Sequence, residues 1–102
     1  MTEPTGARAV ATVQVDDERV RVTEWRFASG AATGWHRHAF DYVVVPLTTG
    51  TLRLVGPDGT RDAALVDGRS YAGPAGVEHD VVNINPFEFA FIEIELKEPR
   101  AR

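Results

Sequence analysis

The chain of 102 residues contains no cysteine. That single absence removes disulfides, cysteine-ligated zinc, iron–sulfur clusters and a thiol nucleophile. There is no run of about 18 apolar residues, the length that a membrane-crossing helix needs, so no membrane span is expected. The first residues hold no apolar stretch of the kind a secretory leader carries. Basic residues are few and scattered, 11 against 15 acidic ones, for a formal net charge of −4. A nucleic-acid partner asks for a basic stripe instead, and none is expected. Helical periodicity is missing as well: no segment repeats its apolar residues at helical spacing beyond a turn or two. These absences leave the expectation of a cytoplasmic, single-domain globular protein. Its 43% hydrophobic and 25% charged residues suit a packed chain of this size.

What is present is strand. Val13 and Val15 alternate with Thr12 and Gln14, Val20 and Val22 with Arg19, Arg21 and Thr23, and Leu52 and Leu54 with Thr51 and Arg53. Period-two alternation with β-branched residues reads as half-buried strand. Residues 35–47 form the longest extended candidate, with Val43, Val44 and Val45 at its centre and Pro46 marking an edge, a bulge or its end. Gly56-Pro57-Asp58-Gly59 is the strongest hairpin signal, and Asp67-Gly68, Pro74-Ala75-Gly76 and Asn85-Pro86 punctuate the rest. Residues 77–84 and 87–96 read as the last two strands.

In the last of these, Phe87, Phe89 and Phe91 alternate with Ala90, Ile92 and Ile94, so both faces are apolar over its first half. A strand of that kind is covered on both sides. In so short a chain the second cover is expected to be another copy, hence a homodimer. Glu93 and Glu95 read as the point where one face returns to water. Strands recurring roughly every eight to twelve residues predict an all-β sandwich or closed barrel. Residues 9–97 would form its ordered body, with 1–8 and 98–102 as loose ends.

The three histidines are the chemistry-bearing residues. His36 and His38 stand two apart in an extended segment, which puts both side chains on one face. His79 follows the Pro74–Gly76 turn on another strand. If the fold brings it to the first pair, three imidazoles make a facial set with open positions for water or substrate. Phe40 and Tyr42 share the parity of His36 and His38. In a regular strand Phe40 would line the same pocket. Tyr42 would either orient a substrate and give a proton, as a catalytic residue, or fill the barrel as an aromatic. Arg26, between Trp25 and Phe27, reads either as a pocket anchor for a carboxylate or as a surface arginine.

The spacing around these histidines resembles the cupin superfamily. Its first motif runs glycine, five residues, His-x-His, three or four residues, glutamate, six residues, glycine; here Gly30-AATGW-His36-Arg37-His38 leads on to Gly50. Its second motif is filled at every position by Gly68-RSYAG-Pro74-Ala75-Gly76-VE-His79-DVV-Asn83. Together the motifs cover about half of the chain. The glutamate position falls on Tyr42 or Val43, neither a carboxylate. Asp41 is adjacent but faces away in a regular strand, and a bulge would be needed to re-aim it. The shell is therefore either three histidines or three histidines plus Asp41.

The resemblance implies an all-β double-stranded β-helix, a jelly-roll barrel of the RmlC-like cupin type. It also implies one divalent transition metal (Fe, Zn, Ni, Mn or Cu) on His36, His38 and His79, and a small-molecule ligand in the barrel. Residues 36–50 are similar to a subgroup of small single-domain cupins with names linked to β-alanine breakdown. Two functions stay open: a metal cupin acting on or binding a small organic molecule, and a non-catalytic ligand-binding or sensing cupin with weak metal or none. Fold does not choose between them.

Overall fold

The computed structural model describes residues 3–97. Among these there is no helix, and hence none long and apolar enough to cross a membrane. The strands are β1 (Val10–Asp16), β2 (Val20–Phe27), β3 (His36–Arg37), β4 (Asp41–Pro46), β5 (Gly50–Gly56), β6 (Gly59–Leu65), β7 (Tyr71–Gly73), β8 (Glu78–Asn83) and β9 (Phe89–Leu96). They form a five-stranded sheet in the order β1-β2-β9-β4-β7 and a four-stranded sheet in the order β3-β8-β5-β6. Every named pairing is antiparallel. This is the all-β arrangement that the strand pattern predicts, in the jelly-roll form that the cupin resemblance implies.

The β5–β6 hairpin forms on the Pro57-Asp58 turn. Gly56 pairs with Gly59, whose φ of +132° suits a residue without a Cβ.

The core lies between the sheets. Phe27, Phe89, Phe91, Tyr42 and Val44 of the first meet Leu52, Leu65 and Val81 of the second. Phe27 and Phe91 pack with ring centroids 5.5 Å apart. Full burial of side chains such as Phe27 and Phe89 stabilises the barrel by about 1.5–3 kcal/mol each. Asn83, fully buried, straps the end of β8 to the neighbouring turns. Its amide donates to the carbonyls of Phe27, Ala28 and Phe87 and accepts from the Asn85 backbone.

Four expectations change. Residues 35–47 are not one strand: the chain bends at Ala39 and Phe40 and passes from one sheet to the other, leaving β3 and β4 on opposite walls. β1 is exposed along its whole length rather than half-buried, because it is an edge strand that pairs with β2 alone and overhangs the narrower second sheet. Residues 5–8 are not a loose end, since Thr5 donates to the Gly30 carbonyl and Ala7 accepts from Ala32. Residues 1–2 and 98–102 of the expected loose ends lie outside the described residues. Glu93 does not turn to water either. It pairs with Thr23 and Val44 on the core side of β9 and is buried.

Candidate metal centre

His36 and His79 face each other directly across the β3–β8 pairing. His38 lies just past β3, where its backbone is knitted to the 74–76 turn: its N–H donates to Val77 and its carbonyl accepts from Gly76 at 2.7 Å. Gly76 has φ +94°, so the turn that fixes His38 needs a glycine there. The result is a cluster in which Nε2 of His38 lies 3.2 Å from Nε2 of His36 and 3.0 Å from Nε2 of His79. One ligand nitrogen from each of the three histidines falls within a span of 4.8 Å.

The surrounding groups orient these rings. Nδ1 of His36 lies 2.9 Å from the Gly34 carbonyl, which can only accept, so Nδ1 carries the proton and Nε2 presents its lone pair. Gly34 is itself held by its N–H on Asp80, and Thr33 accepts from Val81, which fixes this loop to β8. Nδ1 of His38 faces a Glu93 carboxylate oxygen at 3.8 Å. Burial first, then the charge of His36 and His79, pulls His38 down to about 4. Burial and His36 pull His79 to about 4 also, with Arg61 adding to the fall and Asp80 opposing it. Both rings are thus neutral at pH 7, the form that binds a metal ion.

Imidazole nitrogens this close repel through their lone pairs unless a cation or a proton lies among them. The set of three imidazole nitrogens suits iron, zinc, nickel or copper; manganese, expected with them, prefers oxygen ligands. The residues present therefore fit the metal.

Tyr42 reaches the cluster from the other sheet, its ring stacked on His38 at 4.0 Å. Burial raises its pKa, Glu93 adds to the rise and Arg61 opposes it. Asp41 is not brought to the histidines. Its carboxylate accepts from the Ala75 backbone at 2.8 Å and so braces the same 74–76 turn from the other side. Phe40 sits half-buried in the bend and does not line the cavity at the histidines. Arg26 points away from the barrel and pairs with Glu24 and Glu88.

Glu93 is the site residue that the sequence reading missed. Burial lifts its carboxyl to about 7, with Glu95 adding and Trp25 and Arg21 opposing. The signal was there, since Glu93 shares the parity of the buried Phe89 and Phe91.

The interior at the histidines is nearly full. A cavity of about 20 Å³ remains among His36, His38, His79, Tyr42, Tyr71 and Glu93. That is room for an ion or one water. Two larger hollows open at the mouth, about 390 Å³ beside His79 and about 320 Å³ beside Tyr71.

The chain is 60% identical over 90 residues to the β-alanine degradation protein BauB of Pseudomonas aeruginosa, covering 88% of this chain and 95% of that one. It is 55% identical to a cupin domain of Bordetella pertussis whose crystal structure superposes with a TM-score of 0.91, over 92% of this chain and 98% of that one. A Klebsiella pneumoniae protein with a double-stranded β-helix domain shares the fold, at TM-score 0.75 and 18% identity, over 94% of this chain and 83% of that one. No family model matches the chain.

Proposed function

The chain belongs to the small cupins, the family of its 60% and 55% identical relatives, and on that footing we propose that it is a metal-dependent cupin that takes a small organic molecule at the barrel mouth. His36, His38 and His79 are the ligands of a divalent transition metal. The observation that carries this reading is the convergence of their Nε2 atoms to 3.0 and 3.2 Å. The metal would supply Lewis-acid polarisation of a carbonyl or carboxyl oxygen.

The chain's own residues do the rest. The Gly34 carbonyl sets the orientation of His36, and Glu93 stands beside Nδ1 of His38. Tyr42 caps one side of His38. Glu93, lifted to about 7, is placed to hold or release a proton beside the cluster near neutral pH. The degradation of β-alanine that names the Pseudomonas relative concerns a molecule of three carbons, a size that the mouth accommodates. The apolar outer face of the five-stranded sheet is the contact with a second copy.

Elemental analysis of untagged protein tests the centre. About one equivalent of a transition metal is expected, with zinc added where the purified protein holds less. His79→Ala is expected to release it and to lower Tm, since a ligand bound to the native state stabilises that state. Less than a tenth of an equivalent after zinc addition, or full retention by the variant, rules the centre out.

A further inference from the structure

Resting on that metal-centre reading, we propose that Arg61, with Arg69, forms the recognition site for the carboxylate of a small ligand in the hollow beside Tyr71, with the rest of the ligand reaching the histidines.

Arg61 lies on the edge strand β6, directly opposite Leu54, which packs against the core. This register puts it on the barrel side of the sheet, at the mouth. Its charge is felt at the centre: it lowers the pKa of His79 and opposes the rises of Tyr42 and Tyr71. Among the described residues, neither Arg61 nor Arg69 makes a side-chain hydrogen bond or ion pair. Arg21, Arg26, Arg37 and Arg53 each pair with an acid. Two arginines left without acids on one hollow, in a chain of net charge −4, mark a local positive site.

The hollow has the chemistry of a small amphiphilic anion. It measures about 320 Å³ and is walled by Leu54, Ala63, Leu65 and Tyr71 with the two arginines, and no acidic residue lines it. The neighbouring hollow, by contrast, carries Asp58 and Glu78. Leu54 and Tyr71 also wall the interior cavity at the histidines, so the hollow and the centre adjoin. Since about 20 Å³ remains inside, an organic ligand approaches from the mouth and meets Arg61 on the way. A guanidinium offers paired donors in the plane that a carboxylate accepts.

The test is an NMR-monitored titration of zinc-loaded protein with propionate and with its uncharged analogue propionamide. Propionate is expected to bind, and propionamide at least tenfold more weakly. Arg61→Gln is expected to weaken propionate by roughly 10- to 100-fold, as removal of a charged hydrogen bond does, and Arg61→Lys to recover part of the loss. No binding of propionate, equal binding of propionamide, or an affinity unchanged in Arg61→Gln overturns the proposal. Zinc content read on the same samples reports separately on the metal centre. Full zinc with an affinity indifferent to Arg61 overturns the carboxylate site and leaves the centre standing.

Discussion

Glu93 shows how one residue couples the stability of the barrel to its site. In the unfolded chain its carboxyl titrates near 4.5, and in the fold near 7. Between those values the folded state keeps a proton that the unfolded state has lost, so stability falls as pH rises through the interval. The slope from one such proton is at most about 1.4 kcal/mol per pH unit. His38 and His79 act in the opposite sense. Their folded values of about 4 lie below 6.5, so the unfolded state binds more protons there, and stability is lost as pH falls from about 6.5 to 4. Two histidines oppose one carboxyl, so the metal-free protein is expected to gain stability from pH 4.5 to 6.5. Glu93→Gln, which removes the opposing contribution, is expected to steepen that gain. Urea midpoints of both proteins at the two pH values decide it; equal gains would mean that Glu93 does not titrate inside the barrel.

At the scale of strands, the centre depends on how close two elements come. Tyr42 of β4 pairs with Gly73 of β7, and a Cβ built on Gly73 would stand 2.3 Å from the Tyr42 ring and hydroxyl. Gly73 has no positive φ, so its glycine serves closeness rather than turn geometry. Gly73→Ala is expected to cost about 1–3 kcal/mol, the usual toll of overpacking. Adding Tyr42→Ala should return part of it, because the two changes share one contact. Strictly additive losses in chemical denaturation would show that the ring and the strand do not press on each other.

Elements also mark what the sequence made legible. The β5–β6 hairpin was readable because its turn residues sit between alternating strands. The grouping of the three histidines was readable only through the cupin resemblance, which implies one metal on all three; the register that sets His36 opposite His79 comes from the fold. The corner at Ala39 and Phe40 was not readable, since neither glycine nor proline marks it. Parity therefore failed for Phe40, and Asp41 proved to serve the 74–76 turn. Arg61 escaped notice because only the fold sets an edge strand beside the histidines.

At the scale of the whole molecule, the two outer faces differ in kind. The four-stranded sheet shows charge, with Arg53 paired to Asp62 across β5 and β6 and Arg37 to Glu78 across β3 and β8. The five-stranded sheet carries, by register, Val20 and Val22 on β2, Ile92, Ile94 and Leu96 on β9, and Val43 and Val45 on β4, all on the side away from the core. Apolar residues continuous across three adjacent strands are what a self-complementary two-fold contact requires. A second copy on this face, as proposed above, would give the doubly apolar β9 its second cover. Light scattering on a sizing column is expected to give twice the 11.2 kDa chain mass. Ile94→Asp, which places a charge at the middle of the contact, is expected to give the chain mass itself at micromolar concentration. Because Ile94 and the histidines lie on opposite sides of the sheet, the variant should still bind zinc. That retention separates loss of the contact from loss of the fold. A wild-type protein that runs as a single chain, or a variant that stays paired, would leave this face without the partner argued for it.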